Sequence, residues 1–176
     1  MTTLLGISGS LRKTSTNTFL LRNAADIFGA DNYIEADLNL PLYDGDLEDA
    51  SGIPASVQTL SDQIAHADAI IIATPEYNKA ISGVLKNALD WVSRTKGGPW
   101  ANKPVAIMSA AAGRSGGERA QFSLRLAMMA FRPRLLQGPE MMVPLCDSAF
   151  DEDGKLLKDT HREALKNLMD ELRAQI

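Results

Sequence analysis

The sequence predicts an α/β fold, a doubly wound five-stranded parallel sheet in one domain (residues 1–176) with helices on both faces. Three observations predict it. Five short apolar runs alternate with five stretches of helical periodicity along the chain. The clearest run, Ala69-Ile70-Ile71-Ile72-Ala73, has no polar alternation, so both of its faces must be covered, as in a parallel sheet. The length, 176 residues, suits one domain with one sizeable core.

The elements follow in order. Leu4-Leu5-Gly6-Ile7, bounded by a Ser/Gly cluster, reads as the first buried strand. A helix is expected over 16–27, with Phe19, Leu20, Ala24 and Ile27 as its apolar stripe. Residues 33–36 alternate weakly and form the second strand. Residues 38–52, rich in Pro, Gly and Asp, read as a long loop. Pro54 opens a helix marked by Val57, Leu60, Ile64 and Ala65. After the Ala69 strand, a loop over 74–82 leads into a helix over 83–93. Residues 104–109 are the next buried strand, and a Gly-rich loop over 110–117 precedes a helix over 118–131. Leu135-Leu136 and Met141-Met142-Val143 supply a fifth strand region. The last helix, 160–174, turns Leu165, Leu168, Met169 and Leu172 inward.

Composition bounds the function. Apolar residues are 45% and charged residues 23%, an ordinary globular balance. No uninterrupted apolar stretch reaches the roughly 18 residues of a spanning helix, so no membrane is expected. The beginning, MTTLLGISGS, lacks the basic region of a signal peptide. A net charge of −4 gives no reason to expect nucleic acid. The lone Cys146 agrees with a reducing cytoplasm. His66 and His161 belong to no motif, and no His/Cys grouping has metal spacing. The acidic run Asp44, Asp46, Glu48, Asp49 lacks calcium-loop order and reads as solvated, and 151–154 reads as a turn.

Doubly wound sheets bind ligands beyond the carboxyl ends of their strands, where strand order reverses. The loops after the first, third and fourth strands are therefore the ones to examine. In the first, residues 6–18 gather hydroxyls, Asn17, Arg12 and Lys13 at a helix N-terminus, where free N–H groups and the helix dipole favour a phosphate. A well-capped flexible loop is the plainer reading. The Gly-Lys-Ser/Thr ending of a P-loop is missing, and so is the third glycine of a dinucleotide loop. A mononucleotide phosphate is the better candidate.

Gly9-Ser10-Leu11-Arg12, with Ser15 and Asn17 after it, resembles the phosphate loop of the NADPH-dependent FMN reductase family, which includes chromate and quinone reductases. The stretch Pro75-Glu76-Tyr77-Asn78, then Gly83-Val84-Leu85-Lys86-Asn87-Ala88-Leu89-Asp90-Trp91, is similar to that family's more specific motif. Gly116-Gly117 before Arg119-Ala120-Gln121 and Leu124-Arg125 completes the order. The resemblance implies a flavodoxin-like fold and an FMN-dependent oxidoreductase that passes hydride from NADPH or NADH to a quinone, chromate or similar small acceptor. It implies that Ser10, Arg12, Ser15, Asn17 and Thr18 hold the FMN phosphate. Pro75, Glu76, Tyr77 and Asn78 would line the ribityl chain and ring, with Ser109 and Gly113 of the following loop closing the other side. Catalysis is left to the flavin, with no metal. Because one exposed flavin serves both substrates, ping-pong kinetics are expected. The resemblance also implies a homodimer or homotetramer, for which the helix carrying Trp91 and the run 124–131 offer apolar surface.

Two residues depart from the family pattern. Ser82 stands where proline is usual, and it can cap the helix instead. Lys79 stands where a smaller or uncharged residue is expected. A flavodoxin-type electron carrier is the alternative function, but Arg12 in the loop and the mild acidity favour the enzyme. A non-redox binder of another phosphorylated ligand is a third reading.

Overall fold

A computed structural model describes residues 1–176. The chain runs β1 (Thr3–Ser8), α1 (Thr16–Phe28), β2 (Asn32–Glu35), α2 (Gly45–Ser51), α3 (Ala55–His66), β3 (Ala69–Thr74) and α4 (Gly83–Ser93). It continues through β4 (Pro104–Ala110), α5 (Glu118–Met128), β5 (Arg134–Leu135), β6 (Met142–Val143) and α6 (Asp159–Arg173). All strands are parallel, in the order β2-β1-β3-β4-β5, with β6 also on β4. This is the doubly wound order with its switch point between β1 and β3.

The central strands explain the layering. Every residue of β3 and β4 is buried, so both faces must be covered. On one face Leu4, Ile71 and Met108 pack under α1 and α6. On the other, Leu5, Ile70, Ile72 and Ile107 pack under α3, α4 and α5. The inward face predicted for α6 is the observed one, since Leu165, Leu168, Met169 and Leu172 are all buried. On α1 the stripe is displaced: Leu20, Leu21, Ala24, Ala25 and Phe28 are buried, and Ile27 faces solvent. Ala65 likewise lies on the outer side of α3.

Two expectations need correction. The predicted loop 38–52 contains the helix α2, although none of its residues is buried. Its signals are electrostatic: Asp44 caps it by accepting from the Asp46 N–H, and Asp46 and Glu48 lie in its first turn against the positive dipole end. Arg94 reaches over from α4 to bind the Glu48 carboxylate at 2.9 Å. The fifth sheet position is also split between two short strands, β5 beside Pro104 and Val105 and β6 beside Ser109 and Ala110. Gly138 and Pro139 lie between them; proline has no N–H for a ladder and glycine weakens a strand.

Candidate active site

The segments following β1, β3, β4 and β6 meet at the carboxyl edge of the sheet. Leaving β1, the Gly9 N–H donates to the Ala73 carbonyl at 2.8 Å, which ties the first loop to the end of β3. A side chain at Gly9 would meet Pro75 at 3.0 Å and Ser82 at 3.2 Å, so close approach favours glycine here. The Arg12 N–H donates to the Ser10 hydroxyl, and the Ser15 N–H to the Arg12 carbonyl, which curls the loop into α1. Ser15 caps α1, its hydroxyl accepting from the Thr18 N–H. The N–H groups of Ser10, Leu11, Lys13, Thr14, Thr16 and Asn17 have no acceptor within the chain. The Arg12 guanidinium also makes no hydrogen bond or ion pair within the chain. A concave run of free N–H groups at a helix N-terminus beside a free cation has the donors and the charge to accept an anion such as a phosphate dianion.

The second loop forms a tight reversal. Tyr77 and Ala80 exchange two backbone hydrogen bonds, each of 3.0 Å. Between them Asn78 and Lys79 have φ of 50° and 67°, the signature of a type I′ turn. This explains the expectation of a small residue at 79, because left-handed φ favours glycine there. The turn presents Pro75, Glu76 and Tyr77 to the cleft and carries Asn78 and Lys79 out to solvent. Glu76 has a second task. Gly117 gives α5 no side-chain cap, and the Glu76 carboxylate accepts from the Ala120 N–H at 3.2 Å, against the positive end of the α5 dipole.

The third loop is held from beneath. Ser109 is fully buried; it donates to the Gly116 carbonyl at 2.7 Å and accepts from Gln121 at 2.9 Å. A side chain at Gly117 would lie 2.8 Å from Ser109, so Gly116-Gly117 lets the loop fold onto it. Asn17 joins this loop to the first. It is 2% exposed, its amide NH₂ donates to the Ala110 carbonyl, and its amide oxygen accepts from the Ala110 N–H, both at 2.9 Å.

These segments enclose a cleft of about 220 Å³. Of the residues predicted from sequence, Ser10, Arg12, Ser15, Asn17, Pro75, Glu76 and Tyr77 line it. Four others do not. The Thr18 hydroxyl turns back to donate to Ser8 at 2.9 Å, Asn78 occupies the turn tip, Ser109 supports the third loop, and Gly113 lies further along that loop. Thr14, Thr16, Ala110, Ala111, Ala112, Cys146 and Asp147 also line the cleft. From the sequence Cys146 stood out only as the lone cysteine, and Asp147 not at all. Their only signal was position, because they follow a strand and therefore open on the same carboxyl edge. Trp91 and Trp100 are both buried in the fold and line no part of the cleft.

The family model for NADPH-dependent FMN reductases matches residues 2–148. The chain belongs to this family. Among its relatives, the NAD(P)H-dependent FMN reductase of Pseudomonas aeruginosa is 43% identical over 171 residues, covering 96% of this chain and 92% of that protein. The quinone reductase of Escherichia coli is 41% identical over 137 residues, 76% of this chain and 73% of that protein. The structure of the flavoenzyme NAD(P)H:(acceptor) oxidoreductase from Paracoccus denitrificans superposes with a TM-score of 0.88 at 29% identity, covering 99% of this chain and 97% of that one. The cleft of this FMN reductase family member is built mainly from the Ser10–Asn17 loop and the Pro75–Tyr77 segment.

Proposed function

We propose that this chain binds FMN in the cleft between residues 9–17 and 75–77 and acts as an NAD(P)H:acceptor oxidoreductase on quinones. The observation that carries the reading is the set of unpaired N–H groups beside Arg12, facing the Pro75–Tyr77 wall, in a member of this family. The loop fits a phosphate monoester in charge and in donor number, and the Ser10, Thr14 and Ser15 hydroxyls add further hydrogen-bonding groups. Pro75 and Tyr77 offer an apolar wall of the kind a planar heterocycle packs on. The flavin, once bound, supplies the hydride chemistry itself. The chain's residues position it: Arg12 and the free N–H groups fix the phosphate end, and the rigid Tyr77–Ala80 turn fixes the wall.

Nicotinamide and quinone must both approach from the side that residues 75–77 leave open, so they use it in turn. We expect the protein to take up FMN and to oxidise NADPH with a benzoquinone acceptor. Initial rates over a grid of both substrates should give parallel double-reciprocal lines. A protein that takes up no added FMN would overturn the reading, and intersecting lines would overturn the shared approach.

We also infer self-association through α5, in a cytoplasmic enzyme. The lone Cys146 is unpaired, which suits a reducing compartment, and no helix is long and apolar enough to cross a membrane. Of the two segments expected to offer apolar surface, the helix carrying Trp91 keeps that side chain inside, fully buried and donating to the Pro41 carbonyl at 2.7 Å. The other segment, the run 124–131, exposes Leu126 and Met129 at 70% and 72%, next to Phe122 at 55%. It borders a groove of about 550 Å³ between Arg125 and Arg132. Burial pulls the Arg125 guanidinium below its ordinary pKa, with Glu140 opposing, and Arg125 donates to the Leu136 carbonyl. Sedimentation at micromolar concentration should show a dimer or tetramer, and Leu126→Glu should shift it to monomer. A strictly monomeric parent protein would contradict this.

A further inference from the structure

We infer that Ser82, on the helix after the second loop, is a positioning residue for the phosphate loop: its hydroxyl sets the peptide plane that aims the Ser10 N–H at the FMN phosphate. This rests on the functional reading above and adds to it a residue that lies outside the cleft.

Ser82 is 3% exposed and works in two directions. As the N-cap of α4 its oxygen accepts from the Leu85 N–H at 3.2 Å. The same hydroxyl donates to the Gly9 carbonyl at 2.6 Å, across 73 positions of sequence. A hydroxyl has one proton and two lone pairs, so both bonds can exist together. The cap alone would be met by any good N-cap residue; the bond to Gly9 requires a donor.

The consequence for the loop follows from peptide geometry. The only cis bond in the chain is Gly138-Pro139, so the Gly9–Ser10 peptide is trans and planar. Its carbonyl and its N–H therefore point in opposite directions. With the carbonyl held by Ser82, the Ser10 N–H is turned away from α4, and Ser10 is a cleft residue whose N–H has no acceptor in the chain. The preceding peptide is fixed too, through the Gly9 N–H on the Ala73 carbonyl at 2.8 Å. Gly9 is thus pinned on both sides, in a space where an added side chain would meet Pro75 and Ser82. A glycine has wide conformational freedom, so without the Ser82 bond the Gly9–Ser10 plane can rotate and present a carbonyl to the phosphate.

The contribution is specific to the phosphate end. Riboflavin presents the same ring and ribityl chain without phosphate, so it does not use the Ser10 N–H in this way. The test titrates the apoprotein with FMN and with riboflavin, following flavin fluorescence, in the parent chain and in Ser82→Ala, Ser82→Gly and Ser82→Thr. Glycine is nearly as good an N-cap as serine, so Ser82→Gly removes the donor while largely keeping the helix start. We expect Ser82→Ala and Ser82→Gly to bind FMN about tenfold more weakly, the equivalent of about 1.4 kcal/mol. Riboflavin affinity should stay unchanged, and Ser82→Thr should keep the parent FMN affinity because it keeps the hydroxyl. FMN affinity unchanged in Ser82→Gly would overturn the inference, as would equal weakening of both flavins. If the parent chain binds no FMN, or binds FMN and riboflavin alike, the functional reading fails and this inference falls with it.

Discussion

Arg12→Ala is expected to weaken FMN binding about ten- to a hundredfold while leaving riboflavin binding almost unchanged. Arg12 lines the cleft, and its guanidinium has no hydrogen bond or ion pair within the chain. An unpaired cation is free to form charge-assisted hydrogen bonds with a phosphate, and those are stronger than neutral ones. The melting temperature of the apoprotein should not fall, because the side chain contributes nothing to the fold that its loss would undo. Arg12→Lys should recover only part of the affinity, since an ammonium is a point charge without the planar fork that binds two oxygens at once. The binding difference should also shrink as salt rises, because the loop is exposed and the contact is partly screened. Equal weakening of FMN and riboflavin would show that Arg12 does not read the phosphate.

Asn17→Ala should destabilise the fold itself, in contrast to Arg12→Ala. Asn17 is buried and satisfies both peptide groups of Ala110, at the very end of β4. Its removal leaves a buried N–H and a buried carbonyl unpaired, each costing about 1–3 kcal/mol. For a protein of this size the melting temperature should fall on the order of 10 °C. Flavin binding should weaken as well, for FMN and riboflavin together, because the first and third loops lose the tie between them. Thermal melts with and without each flavin separate the two effects. An unchanged melting temperature would mean that water or a rearranged loop replaces the amide at no loss, and that Asn17 does not clamp the cleft.

The two substitutions mark where sequence reasoning reached and where it stopped. The loop's composition was legible: hydroxyls, Asn17 and Arg12 gather at a helix start, where free N–H groups favour an anion. What each side chain does there was not legible. The resemblance implied that Asn17 holds the phosphate; in the fold its side-chain amide pairs with Ala110, 93 positions away, and its backbone N–H stays free. Thr18 likewise turns to Ser8. Ser82 was legible as a cap, because capping is a local event, but its bond to Gly9 depends on β3 lying beside β1.

The sequence by itself determined the α/β class, the buried parallel strands, the order of helices and strands, and the three loops that bear the site. These follow from the period of apolar residues and from the residue types that cap and turn a chain, both of which are local. Tertiary structure decided the rest. It helped hold a helix at residues 45–51, whose Glu48 is bound by Arg94 from the end of α4. It set the two halves of the fifth strand position against opposite ends of β4, and it buried Trp91 with its indole N–H on the Pro41 carbonyl. It brought Cys146 and Asp147 to the cleft through β6, which no local pattern announces. The long-range pairings share one physical reason. A residue's partner across a sheet is fixed by which strands become neighbours, and that choice is made by the whole core at once.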